Sequence, residues 1–183
     1  MKLSFRPLTR SDFPLLQKWL SEPHVEEWWH QPLDHFGVED KYGPRVDGIE
    51  PTYLFVILFN EKPAGWIQWY KWTDYPDHAA QLGAELTAAG IDLAIGEKEL
   101  LGNGLGTAVI IEFLNRIIFA DPGITAIVTD PEEKNFRSLR AFEKAGFVAT
   151  KTVQLKGETV LRRVVTISNN KGPADLARPY FVI

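Results

Sequence analysis

The sequence predicts a single α/β domain built on a mixed sheet, and three observations predict it. Short alternating apolar runs and longer runs at helical spacing follow one another as strand, helix, irregular helices, three strands, helix, strand, helix and two strands. Residues 52–70, TYLFVILFNEKPAGWIQWY, are two β-branched and aromatic runs around a polar turn at 60–63, which is the pattern of a hairpin. A chain of 183 residues with 45% hydrophobic residues is enough for one well-formed core.

Residues 3–6 read as the first strand, and Thr9 with Asp12 as a cap carrying an acid in the first turn of a helix that runs to Leu20. Phe13, Leu16 and Leu20 share one face of that helix. Between 21 and 51, Pro23, Pro32, Gly37, Gly43, Pro44 and Gly48 break the pattern into short helices and loops, where binding surfaces tend to sit. After the hairpin, residues 72–89 are polar and rich in small residues, and a long loop with an extra strand near 81–86 is expected. GIDLAI, residues 90–95, is a short buried strand, and 104–119 a helix stopped by Asp121 and Pro122. Residues 125–129 form a strand, and 135–145 a helix ended by Gly146. Two final strands cover 148–155 and 159–168, joined across Gly157. The domain is expected over 1–168. Residues 169–183 form a C-terminal tail whose apolar end could dock on the domain or on a neighbouring chain, consistent with either a monomer or a homodimer.

Composition narrows the function. There is no cysteine, which removes disulfides, thiolate metal sites and cysteine nucleophiles, and there is neither an apolar signal segment nor a membrane-length apolar run. A cytoplasmic protein with no membrane or nucleic-acid partner is the expectation. The net charge of −4 is unevenly spread. Eight carboxylates face two cations between residues 22 and 50, whereas ten Lys or Arg face three carboxylates from 134 onward. Such a division suits a protein holding a cationic ligand on one side and a phosphorylated one on the other. The four histidines, His24, His30, His35 and His78, lack metalloprotease spacing, so no metal is expected.

The stretch LGNGLGT, residues 101–107, lies between a buried strand and a helix start. Glycines there let the backbone approach a ligand, and exposed N–H groups with the helix dipole make an anion site. No Lys follows the last glycine, so it is not a Walker loop, and Thr107 occupies the third glycine position of the dinucleotide fingerprint.

The series GID, LGNGLGT, helix, strand, TDP and NFRSLRAFEKAGF, within residues 91–147, resembles the acetyl-CoA core of the GNAT superfamily of N-acetyltransferases. HVEEWW at 24–29 and GWIQWY at 65–70 extend the resemblance toward the aminoglycoside 6′-N-acetyltransferases, although siderophore-pathway acyltransferases share the HxxxWW element. The resemblance implies a GNAT fold, a mixed, mostly antiparallel sheet with helices on both faces, and acetyl-CoA as co-substrate. It places the pyrophosphate on Gly102, Asn103, Gly104, Leu105, Gly106 and Thr107, the pantetheine arm beside Leu93, Ala94 and Ile95, and Asn135 on the CoA. Leu101 stands where the family carries Gln or Arg, so backbone amides must supply more of the phosphate contact. Phe142 stands where many members carry a Tyr that protonates the departing thiolate.

An alkyl ammonium must lose a proton before it attacks a thioester. Asp92, inside an apolar strand where a carboxylate is costly without a purpose, is the expected base, and the family match agrees. The resemblance places Asp130, Asp77, Gln68, Tyr70, Trp28 and Trp29 on the acceptor, a small-molecule amine and specifically an aminoglycoside. Strand alternation puts Trp66, Gln68, Tyr70 and Trp72 on one face, with polar tips among flat rings. A GNAT enzyme for a protein amino terminus or a siderophore precursor, and a CoA-binding sensor without activity, are the competing readings.

Overall fold

The computed structural model describes residues 2–30 and 35–169. Its strands are β1 (Leu3–Pro7), β2 (Thr52–Phe59), β3 (Lys62–Lys71), β4 (Ala88–Ile95), β5 (Ala126–Thr129), β6 (Val148–Gln154) and β7 (Leu161–Ser168). Helices α1 (Phe13–Leu20), α2 (Pro23–Trp29), α3 (His35–Val46), α4 (Pro76–Leu82), α5 (Leu105–Phe113) and α6 (Phe136–Lys144) connect them. Among the described residues the strands form one sheet in the order β1-β2-β3-β4-β5-β7-β6, antiparallel at every pairing except β4 with β5.

The hairpin forms for a local reason. Asn60 and Glu61 both take positive φ, 48° and 67°, which matches the right-handed twist of β2 and β3. Alternation along these strands then feeds two cores. Leu54, Val56 and Trp66 face α1, α2 and α3, where they meet Leu16, Trp19, Val25 and Tyr42. Ile57, Ile67 and Ile91 face α5 and α6, where they meet Val109, Phe113 and Phe142. Helices therefore cover both faces of a mostly antiparallel sheet, as the sequence predicts.

The entry to α1 is held by Asp12, whose carboxylate accepts from the Thr9 N–H at 2.9 Å and from both Arg6 Nη atoms at 2.8 and 2.7 Å. The segment 72–89 departs from expectation. Instead of a loop with an added strand, it forms a 3₁₀ turn at Trp72–Asp74 followed by α4. Pro76 at the first turn and Gly83 in the left-handed region after the last frame this helix, and Ala79 and Leu82 bury its inner side. The 104–119 helix also divides, with α5 passing into a π-helical turn at Leu114–Ile118. Asn169 bonds back to Ile124 O at 2.8 Å, and the rest of the predicted tail lies outside the described residues.

Candidate active site

Strands β4 and β5 pair over only two positions, Ala88 with Ala126 and Ala89 with Ile127. Thr129 Oγ1 donates to Ile91 O at 2.8 Å, and beyond that bridge the strands part. The opening is a cleft of about 1040 Å³ that runs between the α2–α3 side and the α5–α6 side. Leu93, Ala94 and Ile95 line it. His24 Nε2 lies 3.0 Å from Ile95 O, and past Ala89 the β4 edge has no strand partner on the β5 side among the described residues.

At one end stands the glycine loop. Gly102 and Gly104 take φ of 80° and 77°, and a Cβ on either would meet nothing within 4 Å, so this backbone faces open space. Gly104 is the N-cap of α5, whose first intrahelical bond runs from Ala108 N–H to Gly104 O. The N–H groups of Leu105, Gly106 and Thr107 precede that bond and are available to an anion. Gly106 faces α6, where a Cβ would make only an ordinary contact with Ala141 Cβ at 3.8 Å. Lys98, Arg137, Arg140 and Lys144 line the same end and add positive charge. This cradle of open glycines, helix-head amides and cations fits a diphosphate. Asn103, by contrast, is exposed and absent from the lining, and Asn135 spends its Oδ1 accepting from Ser138 N–H at 3.1 Å as the cap of α6. Phe142 is buried edge-on to Phe147, with ring centres 4.9 Å apart.

The other end carries the titratable groups. Asp92 lies mid-cleft on β4 and accepts from Gln68 Nε2 at 2.9 Å. Burial pushes its pKa above the usual carboxylate value, the Gln68 bond opposes that rise, and the charge of Asp130 adds to it. Gln68 is in turn held by Arg45 Nη1 at 3.1 Å, and Arg45 Nε by Glu50 at 3.0 Å. Asp130, 5% exposed at the end of β5, has His78 Nε2 at 3.5 Å and Arg162 Nε at 3.8 Å from its Oδ2. Neither approach closes into a hydrogen bond, so Asp130 Oδ2 and His78 Nε2 are both buried without such a partner among the described residues. The Asp130 carboxylate raises the His78 pKa, against the opposing effect of burial. Lys41 also lines the cleft, and burial followed by the nearby Arg45 lowers its pKa.

Of the residues the sequence proposes for the acceptor, Asp92, Asp130, Gln68, Tyr70, Trp28 and Trp29 converge on this cleft. Trp29 Nε1 donates to Tyr42 OH at 2.8 Å. Asp77 does not join them. It is exposed on α4, outside the lining, because the helical turn directs the next residue, His78, inward. Trp66 and Trp72 are wholly buried and belong to the cores. Lys41, Arg45, His78 and Arg162 are the contributors that sequence reasoning misses, because they reach the site from elements far apart in the chain. Among the described residues no three His, Cys, Asp or Glu side chains cluster as metal ligands, and no helix is long and apolar enough to cross a membrane.

Residues 9–155 match the family model of the acetyltransferase (GNAT) domain. The chain belongs to the GNAT acetyltransferases. This GNAT protein is 32% identical over 154 residues to the aminoglycoside N(6′)-acetyltransferase type 1 of Klebsiella pneumoniae, an alignment covering 82% of this chain and 76% of that one. Its fold superposes on aminoglycoside acetyltransferase AAC(6′)-Ib in complex with coenzyme A and kanamycin. That match has a TM-score of 0.77 and 29% identity, covering 92% of this chain and 96% of the other. The complex of AAC(6′)-Ib with ribostamycin and coenzyme A matches at TM-score 0.80 and 26% identity, over 99% and 100% of the two chains.

Proposed function

We propose that this GNAT acetyltransferase moves the acetyl group of acetyl-CoA directly to the 6′-amine of an aminoglycoside. The observation that carries the reading is a pair of carboxylates, the half-buried Asp92 and the buried Asp130, in the same cleft as the glycine cradle. The relatives named for aminoglycoside acetylation, and the neighbours that hold kanamycin or ribostamycin with coenzyme A, support the acceptor class.

Acetyl-CoA supplies an acetyl thioester. Backbone amides at Leu105, Gly106 and Thr107, with Gly102 and Gly104 opening the approach, hold its diphosphate. The cations Lys98, Arg137, Arg140 and Lys144 steer the phosphates. The open edge at Leu93, Ala94 and Ile95 pairs with the pantetheine amides and brings the thioester to the middle of the cleft. Asp130, in the wall of the cleft, draws a substrate ammonium by its charge. Tyr70, Trp28 and Trp29 offer ring faces and edges to the sugar. Asp92, its pKa raised by burial, takes the proton from the attacking amine. The chain has no cysteine to carry the acetyl group between substrates, which favours direct transfer.

The test is an acceptor panel. Free CoA thiol is followed with kanamycin, ribostamycin and a peptide with a free amino terminus, and the acetylated position is located by NMR. Fast release with the aminoglycosides and acetylation at the 6′ nitrogen are expected. Release with the peptide alone would replace the acceptor assignment, and acetyl-CoA binding without release would make the protein a sensor.

A further inference from the structure

Arg45 has no place in the proposed chemistry, yet it is built into the cleft with care. It comes from the last turn of α3, its side chain only 16% exposed, and its guanidinium stands 5.7 Å from the ring centre of Tyr42. Nε donates to Glu50 Oε2 at 3.0 Å, which fixes the plane of the group. Nη1 then donates to Gln68 Oε1 at 3.1 Å, and Gln68 Nε2 donates to Asp92 Oδ2 at 2.9 Å. The polarity of this chain is forced. A guanidinium has donors only, so the Gln68 amide must turn its oxygen toward Arg45 and its NH₂ toward Asp92. Without Arg45, the amide could rotate and present its oxygen to the carboxylate, which would repel the ionised form.

We infer that Arg45 is a positioning residue for the base, acting through Gln68 to keep a hydrogen-bond donor on the Asp92 carboxylate. The inference rests on the reading of Asp92 as the proton acceptor. The arrangement answers a physical need. Asp92 lines the cleft from an apolar strand whose desolvation favours its neutral form, which cannot accept a proton, and a directed donor favours the ionised form. The charged and titratable groups around it are Lys41 and Arg45 from α3, Tyr70 from β3, His78 from α4, Asp130 at the end of β5 and Arg162 from β7. Among the described residues, Arg45 is the cation joined to Asp92 by a continuous chain of hydrogen bonds.

The experiment is the pH profile of kcat/KM with kanamycin for the wild type, Arg45→Met, Arg45→Lys, Gln68→Met and the double variant Arg45→Met/Gln68→Met. A lost hydrogen bond to a charged group is worth about a tenfold change in ionisation, so the acidic limb of Arg45→Met should move up by about one pH unit. Arg45→Lys, which keeps a donor for Gln68 Oε1, should recover most of that shift, and it also serves if the methionine variant folds poorly. In the double variant the shifts should not add, because Arg45 works through the residue already removed. An unmoved acidic limb in both Arg45 variants, or fully additive shifts, would overturn the inference. Asp92→Asn separates this from the underlying reading. If that variant keeps the wild-type rate and limb, the base assignment fails. If it abolishes the limb while Arg45→Met leaves it in place, only the role of Arg45 fails.

Discussion

Replacing Gly90 by Ala tests how the sheet shapes the acceptor end of the cleft. Gly90 on β4 is the cross-strand partner of Tyr70 on β3, and the tyrosine ring lies over it. A Cβ built at Gly90 would stand 2.4 Å from Tyr70 Cε2, 2.5 Å from Cζ and 2.8 Å from the hydroxyl oxygen. Those separations are roughly 1 Å short of van der Waals contact, so the ring must move. It cannot retreat along the sheet, because Trp72 and Tyr75 meet it edge-on at 5.1 and 5.2 Å between ring centres. The remaining direction is into the cleft that Tyr70 lines. Overpacking of this kind costs about 1–3 kcal/mol, reduced by roughly 0.4–1 kcal/mol because alanine has less freedom than glycine in the unfolded chain. Urea denaturation should report that loss, and thermal melting should fall by about 2–4 °C for each kcal/mol. The acceptor KM should rise several-fold while acetyl-CoA binding holds. Adding Tyr70→Leu should relieve most of the stability loss. Unchanged stability with an unchanged acceptor KM would refute the packing argument.

Two further substitutions probe the entry to α1 and the glycine loop. Asp12, buried and doubly bonded by Arg6, has its pKa held down to about 2, with the Arg6 bonds as the main cause. A depressed carboxylate stabilises the fold above its unfolded value of about 4 and ceases to do so as pH falls through the folded value. Asp12→Asn should therefore cost about 1–2 kcal/mol at neutral pH, allowing for solvent screening at the partly exposed Arg6, and the gap from wild type should close between about pH 4 and 2. Gly104→Ala places a side chain at a φ of 77° in the open mouth of the glycine loop. Strain of about 1–2 kcal/mol and a methyl group where phosphate would approach should weaken acetyl-CoA binding by about tenfold, read by titration calorimetry, with the acceptor site unaltered.

Much of this architecture is written locally in the chain. The hairpin turn at Asn60 and Glu61, the glycines before α5 and the Asp inside an apolar β4 each carry a pattern that a few neighbouring residues define. The helix α4 escaped because its seven residues are too few for a clear period, and because the framing Pro76 and Gly83 also suit a loop. The resemblance assigns Asp77 to the acceptor, whereas the helix leaves Asp77 exposed and turns His78 into the cleft, since one residue along a helix turns a side chain by about 100°. Arg45 was hidden for another reason. It stands on α3 and its partner Gln68 lies 23 residues along the chain on β3, so no local pattern announces the bond. The resemblance assigns Asn135 to the CoA, and in the fold it is also the cap of α6, a role that an Asn just before a helix commonly takes.

In the proposed reaction a carboxylate in the parted β4–β5 cleft strips the proton from an incoming amine. The most direct test is the kcat of Asp92→Asn with kanamycin at saturating acetyl-CoA, alongside the acetyl-CoA Kd of the same variant. A fall in kcat of about a hundredfold or more is expected, with the Kd within about twofold of wild type. A kcat close to that of the wild type, with the cofactor still bound, would contradict it.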